Sequence, residues 1–228
     1  MSRQYTDLLT DPRSFFEREG EHPSVLLPAT VVLLVGTLSA LGAWFNFQRR
    51  SEFIERVTQE AAAGNAEGIQ AFVAAFGVIM VGITFVAAFI GWLYYGAFTF
   101  GISALLDGEG DFKTTIAFVG WGFVPKLFEV ALKAVGKWYV TGSVELPAEA
   151  SQSALQAYSQ AVSGHPVNVA MVVLGIAALL WSGYIWYHGL QVSRRLDGRE
   201  ALIAVGIPVG LVLLTRLWNL INAVSAAV

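Results

Sequence analysis

The sequence predicts an all-α, polytopic membrane protein, a bundle of five transmembrane helices with short interfacial helices. Hydrophobic residues occupy 55% of the 228 positions and charged residues only 14%, against about 25% charged residues in an ordinary soluble domain. Five apolar segments are each long enough to cross a bilayer at about 1.5 Å per residue. The net charge of −3 predicts no nucleic-acid-binding surface. The absence of cysteine excludes disulfides and thiolate-ligated metals.

Residues 1–23 are predicted to form a cytoplasmic segment that contains one interfacial helix. Asp11 and Pro12 are typical of a helix start, with the aspartate as N-cap and proline at the first helical position. Phe15 and Phe16 are the apolar residues of an otherwise charged segment, so we expect both rings to anchor the helix in the membrane surface. The alternative is a solvated arm with two stray aromatic side chains.

Residues 24–228 are predicted to form the membrane domain. The second apolar segment has no charge over 36 positions and no polar turn to divide it, which favours one long or tilted helix. Between the first two spans, Ser51 is expected to begin a separate interfacial helix, and Pro147 a short helix in the loop 136–166. The five spans are predicted at about 24–46, 71–106, 112–135, 167–192 and 201–224.

The third span contains a predicted kink. Pro125 lacks the N–H that would bond to the carbonyl of Trp121, and Gly120 and Gly122 add flexibility beside it. The acidic turn 107–111 before this span is typical of a solvated hairpin, with a hard-cation site as the alternative.

Polar residues on two spans make up the candidate intramembrane site. Lys126, Glu129 and Lys133 share one helix face at spacings of three and four residues. Arg216 on the fifth span is predicted at a similar depth, with Asn219 one turn further out, in the outer half of the bilayer. Glu129 is expected to pair with one of these cations, most informatively Arg216, because an unpaired carboxylate in hydrocarbon is costly. The alternative to a functional site is a structural pair, with the long basic side chains extending towards the interface.

Lysine and arginine in the loops predict the orientation. With a cytoplasmic N-terminus, the inner segments carry seven such residues and the outer segments four. The protein is therefore expected in the cell membrane with its C-terminus outside.

Several weak motifs, taken in order, resemble the Ypt-interacting-protein (Yip) family. They are Asp11-Pro12-x-x-Phe15-Phe16, an acidic glycine-rich turn leading into Phe112, Gly120-Trp121-x-x-x-Pro125, and Gly189-Leu190 before a basic loop. The resemblance implies five spans and a cytoplasmic N-terminus. The long N-terminal region and the Asp-Leu-Tyr-Gly-Pro motif of eukaryotic members are absent, so the chain is more similar to the prokaryotic or archaeal branch. Binding of Rab-type GTPases is therefore not carried over.

No catalytic constellation or cofactor motif is found, so no enzyme activity, cofactor or metal is expected. The resemblance implies a non-catalytic protein that organises membrane or recruits partners. The alternative is a small transporter or lipid-binding permease with a polar site near Pro125, Glu129 and Arg216. The expected partners are the lipid bilayer and, as an open possibility, a second copy or other membrane proteins.

Overall fold

The computed structural model describes residues 2–19, 23–61, 66–145 and 152–227. These ranges contain helices and turns and no strand, which confirms the all-α prediction. The helices are α1 (Ser2–Thr10), α2 (Pro12–Glu19), α3 (Leu26–Ala61), α4 (Ala66–Leu105), α5 (Phe112–Trp121), α6 (Val124–Ser143), α7 (Gln152–Ser163), α8 (Pro166–Ser193) and α9 (Gly198–Ala227).

Four single helices are long and apolar enough to cross a membrane, at Leu26–Gln48, Gly68–Leu105, Pro166–Ser193 and Gly198–Ser225. A fifth span results if α5 and α6 are taken together, since they are separated by a short break and bent by 41°. The chain is therefore a multi-pass membrane protein. In the bundle, α3 packs against α4 and α6, α8 packs against α6 and α9, and α4 also contacts α9.

Two helices extend further than the sequence predicts. The prediction that a separate interfacial helix begins at Ser51 is wrong, because α3 is one helix of 36 residues, about 54 Å long. No proline or glycine interrupts it between Asn46 and Ala61, so the change from apolar to polar residues does not end the helix. Similarly, α6 continues through Ser143 into the predicted outer loop. Pro147 lies outside the described residues, so the predicted start of the loop helix stays a prediction. The helix α7 begins at Gln152, where the described residues resume.

The predicted insertion of Phe15 and Phe16 into lipid is wrong. Their exposed fractions are 1% and 0%, and Phe15 makes an edge-to-face contact with Trp121 while Phe16 makes one with Phe118. The helix α2 itself was predicted, but its rings hold it against the bundle. The charged residues around the two rings face outward, which is why the local sequence resembles an interfacial anchor.

The start of α2 follows the predicted capping pattern. Asp11 Oδ1 accepts a hydrogen bond from the backbone N–H of Ser14 at 3.3 Å. Hydrogen bonding by the side chain of Ser14, and then by this backbone N–H, favours the ionised carboxylate and lowers the pKa of Asp11 from its ordinary value.

Arg194 connects two turns at one end of the bundle. Its side chain is 2% exposed and donates to Ser103 Oγ at 2.9 Å, to the carbonyl of Gly108 at 2.7 Å and to the carbonyl of Gly110. Phe16 of α2 lies near this end too, since a Cβ at Gly189 of α8 would be 3.3 Å from its ring. We call this end of the bundle, where α2, the α4–α5 turn and the α8–α9 turn meet, the near end. These segments are the ones predicted to share the cytoplasmic side.

The acidic turn is held by protein contacts. Glu109 pairs with Arg195 at 2.8 Å, and Asp111 caps α5 by accepting from the N–H of Thr114 at 2.7 Å. Within the described ranges, no group of three His, Cys, Asp or Glu residues could hold a metal ion. These protein contacts account for Glu109 and Asp111 in the turn.

Candidate functional site

The bend between α5 and α6 lies before Pro125, the residue from which the kink was predicted. The N–H groups of Gly122 and Phe123 donate to carbonyls three residues earlier, those of Val119 and Gly120, each at 3.1 Å. The chain therefore tightens into one turn at the break. Pro125 is the second residue of α6, a position where the missing N–H costs little. The predicted kink exists, but it is a helix break centred on Gly122 and Phe123.

Two tryptophans pack into this break through its glycines. A Cβ at Gly122 would overlap the indole of Trp186, and one at Gly120 would lie 2.6 Å from Pro28 Cβ and 3.0 Å from Trp92 Nε1. Only glycine permits these approaches.

Both indoles also bond to the α5 backbone. Trp186 Nε1 donates to the carbonyl of Val119 at 2.7 Å, and Trp92 Nε1 donates to that of Ile116 at 2.8 Å. Trp186 is 3% exposed and belongs to the core, although tryptophan near the end of an apolar segment is typical of a headgroup boundary. Packing and these hydrogen bonds therefore support the break in addition to Pro125.

Glu129 lies at the centre of the predicted polar residues. Its side chain is 3% exposed, and Oε1 accepts from Lys133 Nζ at 2.5 Å and from Arg216 Nη1 at 2.8 Å. The Lys133 contact is within α6, whereas the Arg216 contact joins α6 to α9. The expected pairing of Glu129 with Arg216 is thus present in the structure.

The other two predicted site residues have different surroundings. Lys126 is half-buried beside Glu129 and, within the described part of the chain, forms no ion pair. Asn219 is exposed and lines a groove one turn beyond Arg216. Lys126 and Asn219 therefore adjoin the ion-paired group without being part of it.

Gly175 on α8 completes the site and was not predicted. A Cβ built there would overlap Arg216 Nη1 and would lie 2.9 Å from both Glu129 Oε1 and Lys133 Nζ. The glycine leaves the space in which the three charged groups meet. A lone glycine among the many of a membrane helix carries no local signal, because its role depends on how α8 is rotated against α6 and α9.

The ion-paired group lies within about 7 Å of the middle of the apolar helices. A Cβ at Gly42 of α3 would contact Ala134 of α6 at 3.8 Å, so Glu129, five residues earlier, is roughly level with Thr37. Thr37 is the midpoint of the apolar stretch Leu26–Gln48. On α8, Gly175 lies about 7 Å from the helix midpoint. The group therefore lies within the apolar length of the bundle, where an unpaired charge is costly, and its predicted position in the outer half of the bilayer stays a prediction.

Aromatic packing closes the space on the near side of Glu129. A cavity of about 30 Å³ lies there, beside Tyr95, Phe123, Ser182 and Trp186. This volume holds about one water molecule. Tyr95, Phe123 and Trp186 also pack on one another, with ring centroids 4.4 to 6.3 Å apart. We call these three rings the aromatic plug.

On the side of Glu129 that faces away from the near end, the space between the helices is open. A central groove of about 400 Å³ has the polar lining residues Lys126, Glu129, Lys133, Thr215, Arg216 and Asn219. An end groove of about 470 Å³ leads on from it, with the polar lining residues Lys133, Lys137, Ser163, Asn168, Asn219 and Asn222. Because they share Lys133, Val172 and Asn219, the two grooves form one crevice. It runs from Glu129 to the end of the bundle opposite the near end.

Comparisons with known proteins agree with this architecture. The family described as Yip1 domain matches residues 6–218, nearly the whole chain. A protein of Methanocaldococcus jannaschii described as uncharacterized is 27% identical over 122 residues, which are 53% of this chain and 79% of the relative. No solved structure matches the chain.

Proposed function

The chain belongs to the Yip1 domain family, and from this premise we propose that it is a non-catalytic integral membrane protein that organises membrane or recruits partners. The observation that supports this role best is the aromatic plug. Tyr95, Phe123 and Trp186 close the near side of Glu129, and the remaining cavity of about 30 Å³ is too small for a solute. The Trp186 indole is also hydrogen-bonded to Val119, which fixes one ring of the plug to the backbone of α5.

The central groove is the observation that favours the alternative, a small transporter or lipid-binding permease. It brings open space to Glu129 from the far side, as a substrate pathway requires. A transporter must also open the other side, which here requires separating the plug and its hydrogen bond. The paired charges and the plug together favour a static bundle over a transport pathway.

Complementation combined with a flux assay tests this function. The native host without the gene is expected to show altered membrane morphology or a displaced membrane partner. The double variant Glu129→Gln/Arg216→Gln, which removes both charges of the helix-to-helix pair, should restore the phenotype if it inserts and folds. Purified protein in liposomes should not accelerate solute flux. The transporter would be established instead if the unaltered protein accelerated solute flux and the folded double variant both abolished that flux and failed to complement.

The proposed orientation has a cytoplasmic N-terminus and an outer C-terminus. The near-end contacts support it, since they group segments that carry six of the seven lysines and arginines counted on the inner side. A reporter fused after Val228 should be extracytoplasmic, and one inserted at Gly108 or Gly198 cytoplasmic. Cytoplasmic reporters at all three positions would contradict an odd number of spans, and a cytoplasmic reporter at Val228 with outer reporters at Gly108 and Gly198 would contradict the orientation.

A further inference from the structure

We propose that the crevice formed by the central and end grooves binds a phosphate group, supplied either by the headgroup of an anionic phospholipid or by soluble phosphate. This binding site is compatible with the organising role but does not depend on it. The charge of the lining, the donors it presents, its size and its apolar flanks carry the proposal.

The lining of the crevice is strongly cationic. Lys126, Lys133 and Arg216 surround the single carboxylate of Glu129 in the central groove. No other acidic side chain lines either groove among the described residues. Glu129 therefore neutralises only part of the positive charge. Uncompensated charge near the middle of a membrane is costly, so a bound anion would stabilise this arrangement.

The crevice also presents donors that protein contacts leave available. Arg216 uses Nη1 for Glu129, and its guanidinium carries further N–H groups in a planar fork that matches phosphate oxygens. Over the described ranges, no hydrogen bond within the protein engages Lys126 Nζ or the amide of Asn219. Together they provide several donors and one charge in addition to that of Arg216, which is the chemistry that phosphate recognition requires.

Size and surroundings fit a headgroup. The two grooves measure about 400 and 470 Å³, within the range of about 300–1,000 Å³ that is usual for ligand sites. Exposed apolar side chains on the same two helices, Leu132 of α6 and Leu214 and Trp218 of α9, are 54%, 66% and 64% exposed. Acyl chains could lie against them while the phosphate group enters the crevice, whereas soluble phosphate would use only the polar lining.

Ligand-induced thermal stabilisation tests the site. The full chain, purified in a maltoside detergent that contains no phosphate, is titrated separately with dihexanoyl phosphatidylglycerol, dihexanoyl phosphatidylcholine and inorganic phosphate at constant ionic strength. We expect a saturable rise in Tm with phosphatidylglycerol or inorganic phosphate, and a smaller rise with the zwitterionic lipid. Saturation by phosphatidylglycerol alone identifies the headgroup as the source, and saturation by phosphate as well identifies a site for the free anion.

Variants that preserve the ion pairs locate the site. Lys126→Met and Asn219→Leu should each raise the apparent Kd by about tenfold or more, equivalent to about 1.4 kcal/mol. Lys113→Met is the matched control, since Lys113 is an exposed lysine of α5 outside the crevice, and should leave the Kd unchanged. If Lys126→Met does not fold, Asn219→Leu carries the test. Unchanged Kd values in a folded crevice variant, equal losses in the Lys113 control, or no saturable rise with either anion would overturn the proposal.

Discussion

Gly175→Ala is the most sensitive probe of the charged group, because it adds one methyl where three charged atoms meet. The new Cβ would overlap Arg216 Nη1 and approach Glu129 Oε1 to 2.9 Å. The flexible arginine tip can move away, but it then loses its bond to Glu129. A charge-assisted hydrogen bond of this kind contributes about 1.5–3 kcal/mol, while replacing a helical glycine by alanine returns about 1 kcal/mol. The net loss in unfolding free energy is therefore about 0.5–2 kcal/mol.

Gly82→Ala is the control, because a Cβ at Gly82 of α4 has no neighbour within 4 Å. Both variants receive the same gain in helix propensity, so their difference isolates the lost contact, about 1.5–3 kcal/mol. For a chain of this size the difference corresponds to a Tm about 3–12 °C lower for Gly175→Ala. Thermal unfolding followed by tryptophan fluorescence in detergent measures it. Equal Tm values for the two variants would refute the placement of Gly175 against the charged group.

Three further predictions concern other parts of the bundle. Phe16→Ala should lower the unfolding free energy by about 3–5 kcal/mol, because the ring is fully buried. A loss below about 1 kcal/mol, measured by thermal unfolding, would indicate that the ring lies in the membrane surface and not in the core. Arg194→Met should cost about 2–4 kcal/mol, since it leaves the carbonyls of Gly108 and Gly110 without their donor, and should speed proteolysis of the α4–α5 turn; unchanged cleavage contradicts this role. Pro125→Ala should preserve the bend between α5 and α6, measured by spin-label distances between the two helices, and straightening would show that proline alone maintains it.

The sequence predicted those features that depend on composition and on helical spacing along one chain. Apolar segment length was sufficient for the helices that can span the membrane. The contact between Glu129 and Arg216 followed from counting residues to the ends of two parallel spans, because the rise per residue is constant. Both arguments use only distances along helix axes, and neither requires knowledge of how the helices are rotated.

Features that depend on the packing of several helices could not be predicted. Gly175 matters only because α8 turns it towards α6 and α9. The indole of Trp186 reaches the carbonyl of Val119 across the bundle, although its place near the end of an apolar segment is typical of a headgroup boundary. Phe15 and Phe16 likewise look amphipathic in isolation. In each case the local sequence suits lipid and protein equally, since both environments are apolar.

The central claim is that Glu129 and Arg216 form a direct ion pair that joins α6 to α9 within the apolar length of the bundle. A double-mutant cycle of Glu129→Gln, Arg216→Gln and the two together, with unfolding free energy measured in one detergent, tests it most directly. The distance of 2.8 Å between Oε1 and Nη1 predicts a coupling energy of about 1–3 kcal/mol, with the double variant less destabilised than the sum of the single ones. Additivity within about 0.5 kcal/mol would contradict the claim.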